Sequence, residues 1–247
     1  MNTAMEYVQR SAMKEVHDYV ARVAEHFKNQ LAPSVVEVYK LGSLAHGGFS
    51  EIYSDIDVGV ILSCSDPPSE MDRLIAGAKG LDGGYGKKLS VFWGNPDCSW
   101  GRLPVLDRLD VLDHGVPLLA AMKATFSRPS KEAIHLALRD SLNKSWMPKL
   151  DELSRLTALA ANYRKPYVRS ILYPARLIYS WDNLAVDSND RAVEYLEDVK
   201  PAGLDLRPIK IALACRRGEC AVDDLFALRS DLKRQFKSAI SYISARR

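Results

Sequence analysis

Residues 40–62, KLGSLAHGGFSEIYSDIDVGVIL, constrain this chain more than any other stretch. Asp55 and Asp57 flank Ile56 at the head of a run of apolar and β-branched residues. Such a run reads as a buried strand over 56–62. In a strand, residues i and i+2 leave the same face, so both carboxylates point one way and Ile56 points the other, into packing. Placed side by side, the carboxylates repel each other and resist desolvation. A divalent cation relieves both costs. A donor set of oxygen alone, without His or Cys, suits magnesium, which also keeps waters and substrate phosphates in its shell. Asp55 and Asp57 are therefore candidate metal ligands and catalytic residues.

The stretch just before supplies a second feature. Residues 34–41, SVVEVYKL, read as a strand by alternation and Val/Tyr enrichment. Gly42 follows it, and a glycine there lets backbone pass close to a ligand. A helical turn after it would present backbone N–H groups to a phosphate, and Ser43 adds a hydroxyl. Gly42 and Ser43 thus read as a phosphate cradle facing a metal site, a pairing that suits phosphoryl or nucleotidyl transfer.

Around this core the pattern alternates helix and strand. Residues 3–30 carry Val8, Met13, Val16, Val20, Val23 and Phe27 at helical steps. A short helix is expected from Ser69 to Lys79, and a third strand at 89–94, LSVFWG. Segment 105–115 supports two readings. Leu106, Leu109 and Leu112 at spacing three favour helix, whereas Leu109 and Val111 at spacing two favour strand. After SRPSKE the texture changes. Ser127, Pro129 and Ser130, followed by Glu132, mark a helix start. Helices are expected at 130–143, 150–163, 166–182, 188–199, 205–217 and 221–245. The expected organisation is an α/β domain over 1–127 and an all-α helical bundle over 128–247.

Net charge is only +3, but its distribution is uneven. Residues 1–127 hold 12 Lys/Arg against 16 Asp/Glu, and residues 128–247 hold 22 against 15. A basic second half suits an anionic ligand or a solvated surface. Cys64, Cys98, Cys215 and Cys220 form no CxxC pair, and the five histidines are scattered, which argues against structural zinc. No apolar run is long enough for a transmembrane helix, and the N-terminal residues do not resemble a signal peptide. The expectation is a cytoplasmic protein with reduced thiols and no membrane partner.

LGSLAHGGFSEIYSDIDVGV resembles the signature of the DNA polymerase β-like nucleotidyltransferase superfamily. That signature is an apolar residue, Gly-Ser, a spacer of about ten residues, then Asp-apolar-Asp-apolar. Leu41, Gly42, Ser43, Asp55, Ile56, Asp57 and Val58 match it, and Gly47 and Ser54 match a common elaboration. Residues 167–196, YVRSILYPARLIYSWDNLAVDSNDRAVEYL, resemble more loosely the helical C-terminal domain of aminoglycoside adenylyltransferases. The resemblance implies a small mixed sheet with helices, followed by a helical bundle, with the active site in the cleft between domains. It implies that Asp55 and Asp57 bind magnesium and ATP, while Gly42 and Ser43 hold the β,γ-phosphates. An acceptor hydroxyl would attack the α-phosphorus and pyrophosphate would leave.

The resemblance also implies a third carboxylate near the third strand, where this chain has Lys87, Lys88, Leu89 and Ser90. Asp107, Asp110 and Asp113 are the nearest candidates. Asp110 is preferred, on the premise that 109–112 is a strand with apolar residues alternating about it. Otherwise these aspartates are solvated positions on a helix, and the acceptor base comes from the helical domain, Glu194 for example. Arg169 and Arg176, seven apart on a helix, share a face and would contact the triphosphate; a salt-bridge role is the alternative. His46, Lys87 and Lys88 read as loop residues, and Trp93, Trp100, Trp146 and Trp181 as core or interface.

The acceptor is read from charge. Aminoglycosides are polycations, and Asp182, Asp187, Asp190, Glu194, Glu197 and Asp198 form an acidic cluster that would hold one. Arg164, Lys165 and Arg169, with Arg216, Arg217, Lys233, Arg234 and Lys237, would instead suit tRNA. A third possibility is a nucleotide-binding interaction protein that keeps the fold without transfer activity.

Overall fold

The computed structural model describes residues 2–64, 66–119, 126–227 and 229–246, with side chains from Met13 onward. Val8 and residue 228, which fall within two of the expected helices, lie outside the described side chains. The chain divides into two compact units. One is Met1–Gly47 with Ser54–Arg128, and the other is Gly48–Tyr53 with Pro129–Arg247. The first is a mixed sheet with helices and the second is all-α.

In the first unit, α1 (Asn2–Leu31) leads into β1 (Val35–Leu41). A single helical turn, α2 (Ser43–His46), follows, then β2 (Ile56–Leu62). Next come α3 (Met71–Gly80), β3 (Leu89–Gly94), β4 (Gly101–Arg102), α4 (Val105–His114) and β5 (Val116–Pro117). The sheet order is β4-β3-β2-β1-β5. β1 and β2 are antiparallel, with Leu41 opposite Asp57 and Tyr39 opposite Gly59. β2 and β3 are parallel, with Asp57 beside Ser90.

Alternation explains the two faces of this sheet. Tyr39, Leu41 and Ile61 project to one side, where Val111 of α4 completes a buried cluster with Phe92 against it. Asp57 shares the parity of Ile61, so it too lies on the α4 side. Ile56, Val58, Val60 and Leu62 take the opposite side and are fully buried. α1 packs on β1 and β2 and also against α3. Its stripe Val16, Tyr19, Val20, Val23, Ala24 and Phe27 is buried, and the Tyr19 hydroxyl donates to the Ala78 carbonyl of α3 at 3.2 Å. Removing one such aliphatic side chain from water stabilises the unit by about 1.5–3 kcal/mol. Glu37 is buried on β1, where one carboxylate oxygen accepts the N–H groups of Val38 and Leu119, at 2.9 and 2.8 Å.

In the helical unit, α5 (Lys131–Ser141) passes through a π-helical turn, Leu142–Trp146, into α6 (Met147–Ser154). Then follow α7 (Ala161–Asn183), α8 (Asn189–Val199), α9 (Leu206–Arg217), α10 (Val222–Phe226) and α11 (Leu232–Ser244). α7 is the central helix, packed by α5, α8, α9 and α11, with Tyr167, Val168, Ile171, Ala175, Leu177 and Ile178 at its buried positions. Ser130 caps α5 as its sequence suggests, accepting from the Ala133 N–H; such a cap is worth about 1 kcal/mol. Ser188 caps α8 in the same way.

The structure decides between the two readings of one segment and shifts the bounds of three others. Segment 105–114 is helical, so the strand reading fails: Leu109 and Val111, on different sides of α4, are both buried, and the spacing-three leucines were the better guide. The helix expected over 150–163 ends at Ser154. α7 starts at Ala161 and runs through Pro166 and Pro174. There the tertiary packing of a buried helix offsets the missing backbone donors. The helix expected over 221–245 is broken into α10 and α11 by a 3-10 turn at Arg229–Asp231.

Candidate active site

In the first unit the candidate site is built where β1 ends and β2 begins. Antiparallel pairing sets Leu41 opposite Asp57, so the next residue, Gly42, turns over the carboxylate. Gly42 has φ +60° and ψ −149°, a conformation that side-chain-bearing residues rarely adopt. A Cβ placed on it would stand 2.5 Å from Oδ2 of Asp57. Glycine is required twice here, for the backbone angle and for the space taken by the carboxylate.

The Gly42 carbonyl accepts the N–H groups of Ala45 and His46, at 2.8 and 3.0 Å, which closes the α2 turn. The Gly42 N–H donates to Oδ2 of Asp110 at 2.6 Å. Ser43 Oγ donates to Ser54 Oγ at 3.0 Å, tying the Gly-Ser turn to the residue that precedes Asp55. Asp55 and Asp57 are both half-buried. β2 begins at Ile56, so strand geometry fixes Asp57 directly and Asp55 by continuation of the extended chain.

Asp110 lies on α4, not on a strand, and the alternation on which it was preferred is absent. Its burial has a different cause. α4 covers the sheet face that carries Asp57, and Asp110 is 8% exposed. Its second oxygen, Oδ1, is buried without a hydrogen-bond partner among the described residues. A buried carboxylate oxygen left in that state is costly, so a water, ligand or cation is expected there. Asp113, one turn on, is exposed and held by Arg128 through two hydrogen bonds of 2.6 and 3.0 Å. That pairing raises the Arg128 pKa above its ordinary value. Asp107 is half-buried on the same helix. On β3, Ser90 is paired with Asp57, and no acid stands at that position. Lys87 is exposed and Lys88 half-buried in the turn before it. His46 packs edge-on to His114 with ring centroids 5.4 Å apart. Among the described residues, no three His, Cys, Asp or Glu side chains are grouped to hold a metal by themselves.

The helical unit holds the remaining candidates. Arg169 lines a cavity of about 490 Å³ with Ser141, Trp146, Lys149 and Lys165, whereas Arg176 is exposed and does not line it. Glu194 is exposed and paired with Arg191 at 3.3 Å. Asp182 accepts the hydroxyls of Tyr195 and Tyr242, at 2.8 and 2.6 Å. Asp187 accepts from Tyr179 at 3.1 Å, and Asp190 is ion-paired with Arg217. Trp146 stacks on Tyr173 with centroids 4.2 Å apart, and Trp181 stacks on His135 at 3.8 Å.

Segment Gly48–Tyr53, the spacer between Ser43 and Asp55, belongs to this unit. Arg216 at the end of α9 donates to the Gly48 carbonyl at 3.1 Å and the Tyr53 carbonyl at 3.4 Å. Sequence reasoning missed this arginine as a holder of the spacer, and nothing local to Arg216 signals a partner more than 160 residues away.

No protein-family model matches the chain, and no curated protein matches it. Among solved structures it is similar to the spectinomycin adenyltransferase AAD(9) from Enterococcus faecialis, solved with ATP and spectinomycin. The TM-score is 0.57 at 16% sequence identity, over 91% of this chain and 99% of that one. The likeness shows a shared fold, an α/β unit with a mixed sheet followed by a helical bundle. No helix among the described residues is long and apolar enough to cross a membrane.

Proposed function

We propose that this chain is a magnesium-dependent nucleotidyltransferase that moves AMP from ATP to a hydroxyl of a small polycationic acceptor such as an aminoglycoside, releasing pyrophosphate. One observation carries the reading: Gly42 is seated against Asp57 so closely that a methyl group would collide with the carboxylate. A Gly-Ser turn and an Asp-x-Asp strand brought into such contact suit a triphosphate and its counter-ion. The shared fold with an adenyltransferase solved with ATP supports the nucleotide.

Asp55 and Asp57 would hold the magnesium, and the half-exposed, all-oxygen pair fits an ion that takes the rest of its shell from water and phosphate. When bound, the ion supplies charge stabilisation at the phosphoryl oxygens. The residues themselves do the following. Gly42 and Ser43 orient the β,γ-phosphates. Asp110 holds Gly42 in place through the 2.6 Å bond and completes the carboxylate set with its unpartnered oxygen. The acceptor oxygen attacks the α-phosphorus, the bond to the β-phosphate oxygen breaks, and pyrophosphate leaves with that electron pair. The acceptor proton passes to a carboxylate, Asp110 in this reading and Glu194 if Asp110 serves only to position Gly42. Arg169 and Arg176 are proposed as triphosphate contacts. The acids from Asp182 to Asp198 would draw in the polycation.

A second reading takes tRNA as the acceptor. It is favoured by the cavity that brings Lys149, Lys165 and Arg169 beside the half-buried Trp146, since cations around a ring that lines a cavity suit a phosphate backbone and a base. The decisive experiment measures pyrophosphate release with magnesium and each of the four NTPs. Acceptors are a panel of aminoglycosides and bulk tRNA, and Asp57→Asn is the control. Acceptor-dependent release that the variant lacks supports the reading and names the acceptor class. ATP binding without release from any acceptor would favour an interaction protein instead.

A further inference from the structure

We propose that Cys215 and Cys220 form an oxidisable dithiol whose disulfide acts on the segment between Ser43 and Asp55. The coupling to transfer activity rests on the function proposed above; the dithiol itself does not.

Cys215 lies in the last turn of α9 and is 2% exposed. Gly218 then reverses the chain at φ +76°, and that reversal brings the half-buried Cys220 back onto the helix. The two Sγ atoms stand 2.7 Å apart without a bond between them. A disulfide bond is about 2.05 Å long, so closure asks the sulfurs to move by only a fraction of an ångström. The other contacts they make are weak. Cys215 Sγ faces the Ala221 carbonyl at 3.5 Å, and Cys220 Sγ faces the Ile211 carbonyl at 3.4 Å. Burial pushes the Cys215 thiol up to about 12, with Cys220 adding to the effect. Cys215 therefore stays protonated at neutral pH, and the more accessible Cys220 is the attacking sulfur.

The oxidant is a small peroxide. The Cys220 thiolate attacks one peroxide oxygen, the O–O bond breaks, and Cys220 becomes a sulfenic acid while the other oxygen leaves as hydroxide or alkoxide and takes a proton. The Cys215 sulfur then attacks the sulfenic sulfur, gives up its proton, and water leaves as the S–S bond forms. Two thiols and hydrogen peroxide yield one disulfide and two waters.

The ring closed by this bond spans Arg216 and Arg217. Arg216 is the residue that grips the carbonyls of Gly48 and Tyr53, and Arg217 is ion-paired with Asp190. Any change in the backbone of residues 215–220 is passed to the spacer through those guanidinium bonds.

The test treats the full chain with stoichiometric peroxide. Thiols titrated after denaturation should fall from four to two, and the intact mass should drop by two hydrogens. Trypsin cuts after Arg216 and Arg217, so the disulfide should appear as a cross-link between peptides 211–216 and 218–229. Hydrogen exchange at residues 48–53 should rise in the oxidised protein, return on reduction, and stay unchanged in Cys220→Ser. An unaltered thiol count, or a cross-link to Cys64 or Cys98, overturns the dithiol. A Cys215–Cys220 cross-link with no change in exchange at 48–53 overturns the coupling. Neither readout uses transfer activity, so failure of the nucleotidyltransferase reading would show separately, as absence of pyrophosphate release from the reduced protein.

Discussion

The Asp110 carboxylate, on the helix α4, holds the backbone N–H of Gly42 at 2.6 Å, across 68 residues of sequence. Gly42 in turn sits directly over Asp57. A single glycine therefore links two carboxylates, one through its amide and one through the space where its side chain would be.

Asp110 should separate positioning from chemistry. In Asp110→Asn the amide oxygen still accepts from Gly42, so thermal stability should stay close to that of the parent. Asp110→Ala leaves the amide unpartnered and should cost about 1–3 kcal/mol in chemical denaturation. If Asp110 also acts on acceptor or cation, the Asn variant keeps its stability and loses transfer. Full activity in Asp110→Asn would confine Asp110 to holding the turn.

Gly42→Ala should be poorly tolerated. The variant must keep a positive φ and displace Oδ2 of Asp57, and strain of this kind costs on the order of 1–3 kcal/mol. Thermal melting and a pyrophosphate-release assay read the two consequences together. An alanine variant as stable and active as the parent would show that the turn and Asp57 are not in register during turnover.

Neutralising the carboxylate pair should have the opposite effect on stability. Asp55→Asn and Asp57→Asn each remove one of two like charges that stand two residues apart in sequence, so without magnesium the melting temperature should hold or rise. Transfer should fall by about 100-fold or more in each. Magnesium should stabilise the parent and fail to stabilise the variants. Equal magnesium stabilisation in all three proteins would place the ion elsewhere.

Alkaline pH should unfold the protein through its buried tyrosines. Burial pushes Tyr19, Tyr167 and Tyr173 up to about 12. Burial and the Asp182 carboxylate raise Tyr242 as well. In the unfolded chain these phenols ionise near pH 10. Their contribution is therefore complete below pH 10 and is lost as pH rises toward the folded values. Denaturant midpoints measured from pH 8 to 12 should be level at first and then fall, and Tyr173→Phe should flatten the fall. A midpoint insensitive to pH across that range would contradict this assignment.

The sequence by itself carried the local rules. Alternation around Ile56 placed β2, the Gly-Ser turn marked the end of β1, and Ser130 announced the first helix of the bundle; each signal is complete within a few residues. Tertiary structure decided what depends on distant partners. Segment 105–114 carried both helical and strand spacings, and packing of Val111 on the sheet selected helix. The helix expected over 166–182 begins earlier, at Ala161, because packing at the centre of the bundle carries α7 through Pro166. Asp110 was chosen for a strand that does not exist, and it reaches Gly42 because α4 lies over that face of the sheet. Arg216 and the Cys215–Cys220 pair were invisible for the same reason. Hydrogen bonds and sulfur contacts are set by which surfaces the fold presses together, and a one-dimensional spacing holds no record of that.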